Sequence, residues 1–246
     1  MMIDGAHALV TGGGTGIGAA IAQALADQGA KITLLGRREA PLREVADSIG
    51  AQAYVTTCDV TDPAQVATAF AAARERHGAI DILVNNAGGA TTAPFAKLEF
   101  ETWRSTMSVN CDAVFHCTRE VIEAMVEAGS GRIVTVASVA GLHGVAYASP
   151  YSAAKHAAVG LMRSIALEME GRGVTANAVC PGFVDTDMFA RSVATIREKT
   201  GRSADEARAE LARLNPSGRV ITPEEVAAAV VELVRSDRNG EAVEIA

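Results

Sequence analysis

The chain has no excess of positive charge, no long hydrophobic run, no paired cysteines and few aromatic side chains. The first three of these shortages each remove a class of function. Acidic residues outnumber Lys and Arg by 29 to 22, leaving a net charge of −7, the opposite of the basic face a general nucleic-acid binder needs. No apolar stretch approaches the roughly eighteen residues required to span a bilayer. The N-terminus carries neither a positive region nor a cleavage site, so a cytoplasmic protein with no membrane partner is expected. Cys58, Cys111, Cys117 and Cys180 form no C-x-x-C pair and no metal-ligand spacing, which favours reduced, mostly buried thiols and no metal site. No linker or internal repeat interrupts the 246 residues, so one domain over 1–246 is expected.

What is present is a regular alternation. Short apolar runs ("HALVT", "KITLLG", "AYVTTCDV", "IDILVNNAG", "GRIVTVAS", "GVTANAVCPG", "GEAVEIA") are separated by helical stretches. Near-continuous apolar strands joined by helices require a parallel sheet covered on both faces. The pattern predicts an α/β, three-layer, doubly wound sheet of about seven strands. Helices are expected from Gly16 to Gly29, Pro41 to Ile49, Pro63 to about Gly78, along one long stretch ending near Ala128, over 150–170, and from Thr222. Only 187–219, polar and rich in Arg, breaks the alternation.

The first strand runs into "VTGGGTGIG" and then into a helix. Gly12, Gly16 and Gly18 let the backbone turn sharply and approach a pyrophosphate, while the N–H groups of the helix start, from Thr15 through Ile17, favour an anion. At the end of the second strand an acidic residue usually binds the ribose 2′-hydroxyl. Here Gly36 stands in that place, followed by Arg37 and Arg38. That favours NADP(H), with Arg37 meeting a 2′-phosphate. Glu39 taking the ribose, with NAD(H), is the other reading.

Tyr151 and Lys155 stand four apart in "YSAAK", on one face of a helix, with Ser138 upstream at the end of a strand. A phenol ordinarily titrates near pH 10. Lowering it by about three units takes about 4 kcal/mol, the order of energy one ammonium supplies at about 4 Å in an effective dielectric near 20. Alone, Y-x-x-x-K also occurs on ordinary amphipathic helices.

Together, the Gly loop, "NNAG" and the Ser–Tyr–Lys spacing resemble the short-chain dehydrogenase/reductase family over nearly the whole chain. The resemblance implies a Rossmann fold and a nicotinamide cofactor held by Thr11, Gly12, Gly16 and Gly18. Asp59 and Val60 would flank the adenine. Asn85, Asn86, Ala87 and Gly88 would support the cofactor and sheet, and Pro181, Gly182, Val184 and Thr186 would contact the nicotinamide. Tyr151 becomes the general acid or base, Ser138 the partner of the substrate oxygen, Lys155 the group that lowers the Tyr151 pKa and holds the ribose, and Asn110 the holder of a relay water. His143, Phe183 and Met188 are weaker candidates for the substrate pocket. His156 reads as a packing or surface residue, Trp103 as a core or interface anchor, and Met162 and Met169 as helix packing.

The substrate implied is a small-molecule carbonyl/alcohol pair, of the kind used by 3-oxoacyl-thioester reductases and 3-hydroxyacyl or 3-hydroxybutyrate dehydrogenases. An NAD-linked dehydrogenase of small hydroxy acids or cyclic alcohols is the alternative. A nucleotide-sensing regulator on this fold would typically lack Tyr or Lys, and both are here. Segment 187–219 reads as a substrate lid, with Ser203 to Glu206 a capping box. Its Arg191, Arg197, Lys199, Arg202, Arg208, Arg213 and Arg219 either meet an anionic substrate or coat a solvated surface. A homotetramer is the family expectation, although the Gly-rich tail common in the family does not follow "EAVEIA".

Overall fold

The computed structural model describes residues 1–245. Seven parallel strands form one sheet: β1 (His7–Thr11), β2 (Lys31–Gly36), β3 (Ala53–Thr57), β4 (Ile82–Asn85), β5 (Gly131–Val136), β6 (Val174–Pro181) and β7 (Ala242–Ile245). Their order across the sheet is β3-β2-β1-β4-β5-β6-β7, so the winding reverses between β1 and β4. The helices are α1 (Gly16–Ala26), α2 (Glu39–Ile49), α3 (Pro63–His77), α4 (Phe100–Met107), α5 (Ala113–Arg119), α6 (Ile122–Ala128), α7 (Ser149–Glu168), α8 (Asp187–Thr200), α9 (Ala204–Ala212) and α10 (Pro223–Arg235).

The period of two along each strand sorts side chains onto two cores. Ala8, Val10, Ile32, Leu34, Ile82, Val84, Val134 and Val136 face one side, against Ile21 and Leu25 of α1 and Val226, Val230 and Leu233 of α10. Leu9, Leu35, Leu83, Ile133, Ala178 and Cys180 face the other, against Val66 and Phe70 of α3 and Val159 and Met162 of α7. Each large apolar side chain so enclosed contributes about 1.5–3 kcal/mol. Met162 and Met169 join the second core, and Trp103 is half-buried on α4.

Start signals act where the sequence placed them. Asp62 caps α3 through Ala64 N and Gln65 N, Thr222 and Ser203 open α10 and α9 with capping boxes, and Pro150 lies in the first turn of α7. Two expectations change. The long stretch to Ala128 is broken: a π turn, Ser108–Asp112, separates α4 from α5, and α6 follows separately. Segment 187–219 holds a further helix before the one its Ser203 capping box opens, for α8 takes fourteen of its residues.

Candidate active site

The chemistry-bearing residues gather at the carboxyl ends of the strands, around the β1/β4 reversal where open α/β sheets leave a crevice. Gly12 and Gly16 have φ of +65° and +52°, which glycine adopts without strain. A Cβ at Gly18 would lie 2.2 Å from Gly12 O, so only glycine lets α1 begin this close to the turn. Thr15 caps α1 without a side-chain hydrogen bond, leaving the first helical N–H groups without an internal acceptor. A Cβ at Gly16 would come within 3.1 Å of Thr186 Cγ2, so the loop after β6 stands directly opposite this helix start. The bare backbone, the open helix terminus and the facing Thr186 fit a dinucleotide pyrophosphate.

Thr11 and Asn86 serve this loop from beneath it. Thr11 is buried; its hydroxyl donates to Val84 O and accepts from Asn86 N and Ala87 N at 2.9 and 3.0 Å. The Asn86 amide donates to Thr11 O and Gly12 O. Both side chains are spent on the fold, so these two predicted cofactor contacts are supports of the loop. Val60 is also buried. Asp59 accepts from Thr61 N and Oγ1, and the first of these bonds does most to hold its carboxyl below the usual range. Arg37 lies 4.0 Å from Asp59 with three-quarters of its side chain exposed. Glu39, the alternative ribose ligand, accepts from Arg43 Nε at 2.8 Å on the exposed start of α2.

On the far side of the crevice, Ser138 follows β5, and Tyr151 and Lys155 project from α7. The Ser138 hydroxyl donates to Pro181 O at 3.4 Å and accepts from Ala140 N, opening a short turn. A Cβ at Gly141 in that turn would meet Lys155 O at 2.8 Å, so the turn seats closely on α7. Lys155 is buried and donates to Val136 O at 2.8 Å. Its Nζ lies 5.7 Å from the Tyr151 ring centroid, over the ring.

This corrects the electrostatic expectation. The ammonium is directed at a carbonyl and the ring face, and burial dominates both groups. It raises the Tyr151 phenol above its ordinary value, with the Ser138 hydrogen bond acting in the opposite sense. It also brings the Lys155 amine down to about 8. Burial also pushes the Cys58 and Cys180 thiols up to about 11. All four cysteines are free.

Asn110 is fully buried in the π turn, and its amide is engaged with backbone. It accepts from Gly89 N at 3.2 Å and donates to Gly89 O and Thr106 O at 2.8 and 2.9 Å. A Cβ at Gly88 would sit 2.7 Å from Asn110 Oδ1 and 3.5 Å from Lys155 Nζ, so this glycine provides room for both. The side chain shapes the loop beside Lys155.

Phe183 stacks edge-on with buried Phe189 at 6.3 Å, and Met188 is half-buried beside it. His143 and His156 are exposed, the latter bonded to Ser152 O. Among the lid cations, Arg208 pairs with Asp185 at 2.7 Å and lies over the Phe189 ring, while Arg202 pairs with Glu210 and Arg219 with Glu225. These three are therefore taken. No group of His, Cys, Asp and Glu suited to a metal occurs among the described residues, and no helix among them is long and apolar enough to cross a membrane.

Sequence reasoning missed Asn215, Phe189 and Asp185. Asp185 and Phe189 lie within or next to the segment already singled out, but nothing in their local sequence marks their contacts with Arg208 and Phe183, while Asn215 meets the site only through the return of the chain after α9.

A fold of this order with Ser, Tyr and Lys at this edge defines an oxidoreductase class, and the chain belongs to the short chain dehydrogenase family, whose model matches residues 6–197. It is 41% identical over 239 residues to a putative ketoacyl reductase of the granaticin polyketide synthase of Streptomyces violaceoruber, covering 94% of this chain and 86% of that one. It is 39% identical to a D-beta-hydroxybutyrate dehydrogenase of Cupriavidus necator, covering 94% and 92%. A variant of actinorhodin polyketide ketoreductase, solved with NADPH, superposes with a TM-score of 0.94 at 37% identity, covering 98% of this chain and 95% of that one.

Proposed function

We propose that the protein is an NADPH-linked ketoreductase acting on a 3-oxoacyl thioester, carried by CoA or an acyl carrier protein. The observation that carries this is the convergence of Ser138, Tyr151 and Lys155 beside Gly88, on the edge that also holds the pyrophosphate loop. The whole chain acts as one domain, with α8 and α9 as its lid.

When bound, a nicotinamide cofactor supplies the hydride for reduction. The backbone of Gly12 and Thr15 to Gly18 holds its pyrophosphate, Arg37 its 2′-phosphate, and Asp59, Val60, Ala87 and Gly88 its adenosine half. Lys155 holds the nicotinamide ribose, and Pro181, Gly182, Val184 and Thr186 the nicotinamide.

Burial that keeps the Tyr151 phenol protonated suits a proton donor, which is what reduction of a carbonyl requires. Tyr151 gives its proton to the substrate oxygen while the Ser138 hydroxyl holds the same oxygen and stabilises the charge gathering there. Lys155 keeps the phenol oriented from beneath its ring, and Asn110 fixes the loop that borders Lys155. His143, Phe183 and Met188 border the place where the acyl chain enters. Arg37, exposed and without a closer partner than Asp59, supports the choice of NADPH.

A second reading is an NAD-linked dehydrogenase of a small hydroxy acid; the likeness to the hydroxybutyrate enzyme favours it. Absorbance assays of acetoacetyl-CoA and acetoacetate with NADPH and NADH separate the two. The expected result is turnover of the thioester with at least about tenfold preference for NADPH, reduced by Arg37→Ser. Tyr151→Phe should lower kcat by about 10²–10⁴-fold. Intact reduction in Tyr151→Phe would overturn the assignment, and preference for NADH with acetoacetate would select the second reading.

The protein further assembles as a homotetramer in a reducing compartment such as the cytoplasm, which suits four free thiols. Exposed Phe100 on α4 and Phe115 on α5 give the helical face an apolar surface to bury. Sedimentation at micromolar protein should return four chains per particle; a monomer would refute this.

A further inference from the structure

We propose that Asn215 is a positioning residue that holds Gly182–Thr186 in the form that receives the nicotinamide half of the cofactor. The proposal rests on the reading of that segment given under Proposed function. Asn215 is buried at the point where the chain leaves α9 and turns back to the sheet. Its amide pairs with both backbone groups of one residue: Oδ1 accepts from Phe183 N at 2.8 Å, and Nδ2 donates to Phe183 O at 3.0 Å. Nδ2 also donates to Arg219 O at 2.7 Å, tying the return segment to the same point. A primary amide used this way replaces a neighbouring strand where the sheet has ended. Asn110 does the same to Gly89 on the other wall.

Gly182 supports the assignment independently. Its φ does not lie in the left-handed region, so conformation does not require glycine there. Space does: a Cβ would lie 2.2 Å from Asn215 Oδ1. The two residues are a matched pair.

The rest of the segment is fastened in series. Gly182 N donates to Ile245 O, Ile221 N to Phe183 O and Asp185 N to Ile221 O, with Val184 and Ile221 forming a parallel bridge. Thr186, next in the chain, caps α8 and faces Gly16. Losing Asn215 releases the Phe183 N–H, the one in Gly182–Asp185 held by a side chain, leaves Phe183 O with Ile221 N alone, and lets Thr186 shift relative to the pyrophosphate loop. Residues on the adenosine side, Arg37 and Asp59, have no connection to Asn215.

That division gives the test. Dissociation constants of NADPH and of adenosine 2′,5′-bisphosphate, which lacks the nicotinamide half, are measured for the wild type, Asn215→Ala and Asn215→Asp. Asp keeps the volume and the acceptor for Phe183 N but loses both donors. Both variants should bind NADPH about tenfold or more weakly, the scale set by one or two buried hydrogen bonds. Both should bind the bisphosphate within about twofold of wild type. In the cofactor-free protein, amide exchange over 182–186 should accelerate in Asn215→Ala and stay unchanged over 12–18.

Equal weakening of both ligands, as general loosening would produce, overturns the proposal, as does unchanged NADPH affinity. If the wild type binds NADH more tightly than NADPH, it is the cofactor reading that fails. NADH and AMP then take the place of the two ligands, and the same outcomes decide the role of Asn215.

Discussion

Lys155 shows how burial sets the terms for a single residue. Its amine falls from an ordinary value of 10.5 to about 8, so the folded chain holds a buried charge at neutral pH that the unfolded chain keeps in water. A lowered pKa means the contribution to stability is complete above the unfolded value and lost as pH falls through the folded one. The corresponding cost below pH 8 is on the order of 3 kcal/mol. Replacing Lys155 with Met removes it. Urea unfolding of the cofactor-free proteins should therefore show the stability of wild type relative to Lys155→Met rising by that order between pH 7.5 and about pH 10.5. A difference that does not vary with pH would mean the amine is not desolvated as described. Tyr151, Lys155, Ser138 and the glycines were legible in the sequence because their chemistry depends on short spacings: four residues on a helix, two in a turn. The direction of the Tyr151 shift was not legible. Whether an ammonium faces a phenol oxygen or the ring depends on Val136 O, which accepts the Lys155 hydrogen bond from across the β5–α7 connection.

Among elements, α3 and β1 meet at the edge of the sheet opposite the active site, and their histidines make that junction sensitive to acid. His7 is buried. Its Nδ1 donates to Gly78 O at 3.0 Å, so in the neutral ring Nε2 accepts from Thr33 Oγ1 at 2.9 Å. His77 packs edge-on at 5.3 Å with Nε2 buried and unpartnered. Burial, then the neighbouring His7, pulls His77 down to about 4, and burial lowers His7 as well. Both are depressed, so the stability they confer is present above pH 6.5 and drains as pH falls toward 4. Tm should decline between pH 6.5 and 4.5, a window above the titration of Asp59 and Glu225, whose carboxyls are held low. His77→Phe should flatten that decline; an unchanged slope would place the acid sensitivity elsewhere. The strands and capped helices could be read from period and cap residues. The π turn at Ser108–Asp112 could not, since it inserts no unusual residue, and α8 was passed over among its polar neighbours although Phe189, Val193 and Ile196 recur at helical spacing.

For the whole molecule, a doubly wound parallel sheet of about seven strands followed from alternation, because such a sheet, buried on both faces, leaves few other arrangements; the strand order that puts the crevice between β1 and β4 comes from the structure. What stayed hidden was contact between distant parts of the chain. Asn215 touches Phe183 thirty-two residues away, and Arg208 reaches Asp185 across twenty-three. Neither spacing repeats anything a single sequence displays. The way these contacts frame α8 and α9 has one consequence for how such a chain can diversify. The backbone hydrogen bonds of Gly182–Asp185 end on Ile245, Asn215, Ile221 and the adjoining Thr186, none of which lies within 188–213. The backbone of this ledge is thus fastened independently of that stretch, which reaches it through side chains, so Arg208 on Asp185 and Phe189 on Phe183 are the contacts any exchange of α8 and α9 has to keep.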